Sequence, residues 1–532
     1  MSSTDSSSSS GSSVSGSSTR SDSEDEDDLE LRRHLTYLTR SPDDDNRKET
    51  ALSPVFTAPV HLYAKEVNAR DRLSRGKRHR DPLFPQHSLL GREIGTETDA
   101  RGGDTRVFYN VSAPCSIFIC GSQGSGKSHT LSCVLEGCLI PSDVSKLSTP
   151  LAGLVFHYDT FISETGGAPC EAAFLASNSK ATVRILCAPT NVRVIQETYK
   201  NIPQVSVEML LLREEDLNTK RMMDLMAVGE GNVPLYVHVI QRILRDMRIA
   251  QQQGDHIQPF KYAEFRRRIG QEDLTDHQLV PLNQRLDTLE SFMVKKGAGG
   301  VLGDKKRRAG TDWQPVPGQL TIVDLSCPCV TADMACSLFN ICLSLFLEKG
   351  QSGSNPLSAD VPPPIGRVVA LDEAHKYMTS DDSGAAGTLT NSLLATIRLQ
   401  RHLGLRVVIS TQEPTVSPKL LDLCSVTIVH RFSSPAWMKA LRDHLAGGVE
   451  ERRSGKKAGV EVADHFDRIV KLRVGEALMF APNAAVSLAV EKGAGASGGV
   501  ADMRVRRLGH EVLKILIRER ITTDGGGTIM AT

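Results

Sequence analysis

The sequence predicts an α/β fold: a mostly parallel sheet with helices on both faces. Three observations carry that expectation. Short apolar runs recur at Ser116–Cys120, Leu154–Tyr158, Val183–Cys187, Leu320–Leu325, Val368–Leu371, Val407–Ile409 and Val426–Val429. Most are rich in Val and Ile, and they are unbroken rather than alternating, as strands covered on both faces require. Helical spacing falls between several of them. Leu131, Val134, Leu135, Cys138 and Leu139 recur at i, i+3, i+4, as do Leu389, Leu393, Leu394 and Ile397. Finally, the run at 117–120 passes through a glycine-rich turn straight into a helical pattern, a unit of doubly wound sheets.

Composition sets the bounds. The 532 residues leave room for about two to four domains, and a hydrophobic share of 40% builds a large core. Lys plus Arg and Asp plus Glu both total 63, so attraction to nucleic acid must come from local patches. The eleven cysteines include no C-x₂-C pair, and an odd count without a secretory leader reads as reduced thiols. The expected setting is intracellular, with nucleus and cytoplasm not distinguished. The longest apolar stretch, Met334–Leu347, is interrupted by Ser337, Asn340 and Ser344. It falls short of the roughly 20 apolar residues that a spanning helix needs, so no membrane contact is expected.

Along the chain, residues 1–50 are serine-rich and then acidic, and are expected to be disordered because they have almost nothing to bury. Residues 51–110 are a mixed, partly ordered lead-in. Residues 111–200 and 316–490 form the two parts of the sheet domain. Residues 201–315 break the alternation and read as a helical insertion. There Leu279, Leu282, Leu286, Leu289 and Met293 follow the capping-box pattern Thr275-x-x-Gln278,. Glycine-rich stretches at 297–303, 351–354, 383–387 and 494–499 read as loops. Residues 491–532 read as a linker and a C-terminal amphipathic helix over 503–520, with Val505, Leu508, Val512, Ile515 and Leu516 on one face,.

The chemistry concentrates on one motif. Gly121-Ser122-Gln123-Gly124-Ser125-Gly126-Lys127-Ser128 fits G-x-x-x-x-G-K-[ST], with a strand before it and a helix, opened by His129, after it,. Glycines let backbone N–H groups curl around phosphate oxygens, and the helix N-terminus faces the same anion. Lys127 is placed to reach the β/γ-phosphates, and the Ser128 hydroxyl to ligate Mg²⁺. A second strand ends in Asp372-Glu373. There Asp372 would hold Mg²⁺ and Glu373 would polarise water, a pairing that favours hydrolysis over phosphoryl transfer. A third ends in Thr411-Gln412, an amide placed to orient water or sense the γ-phosphate. Arg398 and Arg401 are three apart and suit a finger acting on a neighbouring subunit's nucleotide, or a solvated helix end. His375 reads as a structural hydrogen-bonding residue and is given no catalytic role.

These residues resemble the HerA/FtsK group of P-loop ATPases in the RecA-like ASCE division. The resemblance runs from about Cys115 to Pro482. Besides the two motifs above it includes Gln319–Ser326, Ile397–Leu405 leading into Ser410–Pro414, and Val474–Phe480. It implies a RecA-like sheet, ATP rather than GTP, and a homo-oligomer, hexameric in this group, acting on double-stranded DNA. Two departures stand out. Gln123 replaces the threonine or glycine more usual there, and residues 51–110 look too short and strand-poor for the small N-terminal β-barrel of HerA proteins. The basic runs Arg75–Arg80, Lys305–Arg308 and Arg452–Lys457 are candidate phosphate contacts, a nuclear address, or plain solvated loops. A motor is one reading; the alternative is a slow nucleotide-dependent switch or scaffold binding a protein partner. A small-molecule kinase fits less well, given the Lys127–Asp372 separation and the Thr411-Gln412 strand end.

Overall fold

The computed structural model describes residues 21–38, 42–73, 81–160, 166–226, 235–253, 258–294, 310–349, 365–378, 384–446, 465–490 and 503–525. The three basic runs and the glycine-rich stretches 297–303, 351–354 and 494–499 lie outside them. The chain divides into two compact units, Met1–Thr50 and Ala51–Thr532.

Ser21–Leu38 and Pro42–Ala51 are helices, and the serine-rich residues 1–20 lie outside the described residues. The first helix leaves Leu29, Leu31, Leu35, Tyr37 and Leu38 exposed, so burial adds little to it and local electrostatics help support it. Its acidic residues precede Arg32, Arg33 and His34 in the sequence, the order that a helix dipole favours. Glu30 and His34 pair across one turn at 3.6 Å.

The second unit is organised by a single 16-stranded sheet. Its strands in chain order are β1 Val55–Thr57, β2 His87–Glu93, β3 Arg106–Asn110, β4 Ser116–Cys120, β5 Ser145–Lys146, β6 Ala152–His157, β7 Thr182–Cys187 and β8 Val205–Met209. There follow β9 Gln319–Asp324, β10 Arg367–Leu371, β11 Leu405–Thr411, β12 Val426–Val429, β13 Glu476–Phe480, β14 Ala485–Val490, β15 Met503–Arg507 and β16 Leu513–Ile517. The order β8-β7-β9-β6-β10-β11-β4-β12 is parallel throughout. Each run predicted from its apolar character lies in this block. Side chains alternate between two covered faces. Ile117, Ile119, Val155, Ile185, Ile322, Val368 and Val408 pack with the P-loop helix Lys127–Leu139 and the helix Val192–Tyr199. Phe118, Leu154, Phe156, Val323, Val369 and Val407 pack with the helices Ala332–Glu348, Gly384–Arg398 and Pro418–Leu423.

Several boundaries move. β8 lies inside the stretch expected to be all helix and forms the sheet edge beyond β7. Its alternating side chains are only half-buried, so it lacks the unbroken apolar run that marks the interior strands. Helices follow it, ending in Asp276–Ser291, whose Gln278 Oε1 accepts from the Thr275 N–H at 3.1 Å. The glycines at 384 and 387 open the helix Gly384–Arg398 rather than forming a loop.

The C-terminal helix expected over 503–520 is two strands, β15 and β16, turning at Gly509 with φ +63°. Leu513, Ile515 and Ile517 face inward with period two, and that alternation outweighs the helical spacing. The lead-in 51–110 is likewise not strand-poor. β1, β2 and β3 join β13, β14, β15 and β16 in the order β15-β14-β1-β3-β2-β16-β13, which continues the sheet from β12. The segment looks sparse in sequence because half its partners come from beyond residue 475.

Candidate phosphate site

β4 delivers the chain into the loop at Gly121. Gly121, Gly124 and Gly126 have φ of +154°, +70° and +110°, a region costly for residues with a Cβ. At Gly121 a Cβ would also stand 2.7 Å from both the His430 Cβ and the Ser125 hydroxyl oxygen. The loop is tied down on its β12 side. The Ser122 N–H and hydroxyl both donate to the Arg431 carbonyl at 2.9 Å. The Ser125 hydroxyl and the Lys127 ammonium both donate to the Ser122 carbonyl, at 2.7 and 3.0 Å. Thr130 N–H makes the first intrahelical bond, to Gly126 O. The amides of Lys127, Ser128 and His129 therefore have no acceptor inside the helix, the arrangement that binds anions.

Lys127 is buried, and burial pulls its pKa down while Glu373 and Asp372 pull it back up. His430, at the end of β12, lies fully buried under the loop. Its Nδ1 donates to the Glu476 carbonyl at 3.1 Å, and its Nε2 accepts from the Thr130 hydroxyl at 2.8 Å. Burial pushes its pKa down to about 4, so the ring is neutral. Nothing in its sequence context marks His430. The His129 ring is turned to the Arg518 carbonyl at 2.8 Å, so only its amide is free to face a phosphate.

Asp372 follows β10, and its N–H donates to Phe156 O at 3.0 Å. One carboxylate oxygen accepts from His157 Nδ1 at 3.3 Å and from Cys170 Sγ at 3.6 Å. The other oxygen is buried and makes no hydrogen bond. That free acceptor fits a Mg²⁺-bound water, so the residues suit the ion that the motif implies. Burial alone would raise the Asp372 pKa; the His157 hydrogen bond and charge outweigh it, and the carboxyl stays below its ordinary value.

Glu373 occupies the left-handed region, φ 48° and ψ 45°. Its Oε2 accepts from Gln412 Nε2 at 2.5 Å and lies 3.5 Å from His375 Nε2. The Gln412 N–H in turn donates to His375 Nδ1 at 3.4 Å. A neutral His375 therefore carries its proton on Nε2 and presents it to Glu373. Burial lowers the His375 pKa, which favours that neutral form. The structure thus gives His375 a place between the two residues that the sequence nominates for catalysis.

The β10–β11 and β4–β11 registers pair Leu371 with Ile409 and Cys120 with Thr411. This brings the P-loop, Asp372-Glu373 and Gln412 to one edge of the sheet. Arg398 and Arg401 are not brought there. They precede β11, whose seven residues span about 20 Å. The helix also breaks at Leu399, so Arg398 ends one helix and Arg401 sits on the short helix Gln400–Leu403. Both are exposed.

No protein-family profile matches the chain, and no curated protein matches it. Among solved structures it is similar to VirB4 of Thermoanaerobacter pseudethanolicus, at 11% identity and TM-score 0.47, over 82% of this chain and 96% of that one. It is also similar to B204, the DNA-packaging ATPase of Sulfolobus turreted icosahedral virus, at 9% identity and TM-score 0.25, over 70% and 93%. A third similar structure is EssC (ATPases 2 and 3) from Geobacillus thermodenitrificans, at 12% identity and TM-score 0.28, over 81% and 44%.

Proposed function

We propose that this chain binds ATP with Mg²⁺ at Gly121–His129 and hydrolyses it, as a RecA-like, HerA/FtsK-type motor that assembles as a homo-oligomer on DNA. The observation that carries the ATPase reading is the convergence of Lys127, Asp372, Glu373 and Gln412 at one sheet edge. The loop amides and Lys127 take up phosphate charge. Ser128 and the free oxygen of Asp372 would hold the ion. Mg²⁺ held there would supply positive charge against the phosphates. Glu373 draws a proton from the attacking water, and Gln412 orients that water. Arg398 and Arg401, remote from their own phosphate site, are candidates in this reading to serve a neighbouring subunit's nucleotide.

A second reading is favoured by one contact. The Glu373 carboxylate is engaged by Gln412, which suits a slow switch that a protein partner releases. Steady-state ATPase activity of the full chain, with and without duplex DNA at low and high salt, separates the two. Salt-sensitive stimulation supports the motor. Slow turnover indifferent to DNA supports the switch, and no turnover at all rejects hydrolysis.

A further inference from the structure

We propose that His157, Cys170 and Asp372 form a site for a soft divalent cation, with Zn²⁺ the best fit. All three residues are buried, and their candidate ligand atoms lie within 4.8 Å of one another. The two separations from Asp372 Oδ2, 3.3 Å to His157 Nδ1 and 3.6 Å to Cys170 Sγ, match a zinc polyhedron. Tetrahedral bonds of about 2.0–2.3 Å place ligand atoms roughly 3.3–3.6 Å apart. An imidazole, a thiol and a carboxylate suit Zn²⁺, whereas Mg²⁺ and Ca²⁺ prefer oxygen alone. One thiolate and one carboxylate would neutralise the ion, as a buried site requires.

The surroundings hold the donors in place. Phe156 pairs with Leu371, so His157 and Asp372 stand side by side at the ends of β6 and β10. The Cys170 N–H donates to the Tyr199 hydroxyl at 3.0 Å, which donates to Asp324 at 2.7 Å. The second oxygen of Asp324 accepts from the Ser326 N–H at 3.0 Å. Such outer hydrogen bonds are what fix metal ligands. The cluster is also under-satisfied: His157 Nε2 and Asp372 Oδ1 are buried and make no hydrogen bond. On binding, the Cys170 thiol proton and the proton on His157 Nδ1 both leave, and metal–sulfur and metal–nitrogen bonds form with no change of oxidation state. The cation would share Asp372 with the phosphate site and so slow hydrolysis; this consequence rests on the function proposed above.

The test uses the full chain, stripped with chelator and free of nucleotide. Co²⁺ serves as the spectroscopic probe and Zn²⁺ as competitor. The expected result is one equivalent of Co²⁺ with a thiolate charge-transfer band, displaced by Zn²⁺. The band should vanish and affinity fall at least tenfold in Cys170→Ser, while Cys329→Ser, at an exposed cysteine, keeps both. Absence of the band in the wild-type chain overturns the site whether or not the variant folds, as does its persistence in Cys170→Ser. Zn²⁺ added to Mg²⁺-ATP turnover should slow it several-fold. Zinc bound at unchanged turnover overturns the inhibitory consequence. Zinc bound by a chain that never hydrolyses ATP overturns the proposed function and leaves the site standing.

Discussion

Glu373 is held by three constraints at once: a left-handed backbone, the Gln412 amide and the His375 ring. Glu373→Gln keeps the shape and removes the base, so nucleotide affinity should persist while turnover falls by roughly 10²–10⁴. Equilibrium binding beside single-turnover hydrolysis checks this, and unchanged turnover removes Glu373 from the mechanism. Lys127→Ala should abolish tight triphosphate binding in the same assay. His375 invites a paired substitution. Asn can still accept from the Gln412 N–H, as Nδ1 does, whereas Gln can still donate towards Glu373, as Nε2 does. If the ring positions Glu373, His375→Gln should retain more kcat than His375→Asn, with KM little changed in both; equal losses would mean the ring merely fills space. The P-loop and Asp372-Glu373 were legible as contiguous motifs with a known chemical purpose. His430, His157 and Cys170 were not, because only the fold makes neighbours of residues hundreds of positions apart.

At the scale of elements, the strands that could be read were those buried on both faces. Their Val- and Ile-rich runs have no competing interpretation, and the predicted and observed limits of 116–120 and 426–429 coincide. β1 and β16 take partners from far along the chain, β14 and β2 respectively, so no local signal announces them. The segment after β16 shows a second consequence of distance. Glu136, fully buried on the P-loop helix, accepts from Arg518 Nη1 at 2.7 Å and from the Ile521 and Thr522 amides at 3.2 and 3.1 Å. The Arg518 carbonyl meanwhile receives His129. The C-terminal segment thus braces the helix that opens at the phosphates. Arg518→Ala would leave the buried carboxylate only the more distant Arg520 guanidinium, 3.8 Å away, at a cost of up to about 3–5 kcal/mol. Urea unfolding of the full chain measures this, and a loss below about 1 kcal/mol would show that the amides suffice.

For the whole molecule, the buried histidines held neutral, His61 and His430, contribute to the response to acid. Burial, with His87, Lys65, Arg106 and Lys146, lowers the His61 pKa from 6.5 to about 4, and burial lowers that of His430 to about 4. A depressed histidine is neutral when folded but charged when unfolded, so the unfolded chain binds more protons across this window. Their contribution is full above pH 6.5 and is lost as pH falls towards about 4. Urea midpoints at pH 7, 6 and 5 should therefore fall, and less steeply in His61→Phe; parallel slopes would discount His61.

The sheet itself carries the last consequence. The Thr57 hydroxyl bonds the Val486 carbonyl across 429 positions, and β2, paired with β3 and the short β5, is completed only by β16. During synthesis on the ribosome, β1 and β2 must each wait with one edge open until β14 and β16 have emerged. Unpaired edges of that kind recruit other strands. A transcript truncated anywhere before residue 517 should therefore yield a product that aggregates, even when every phosphate-binding residue has been made.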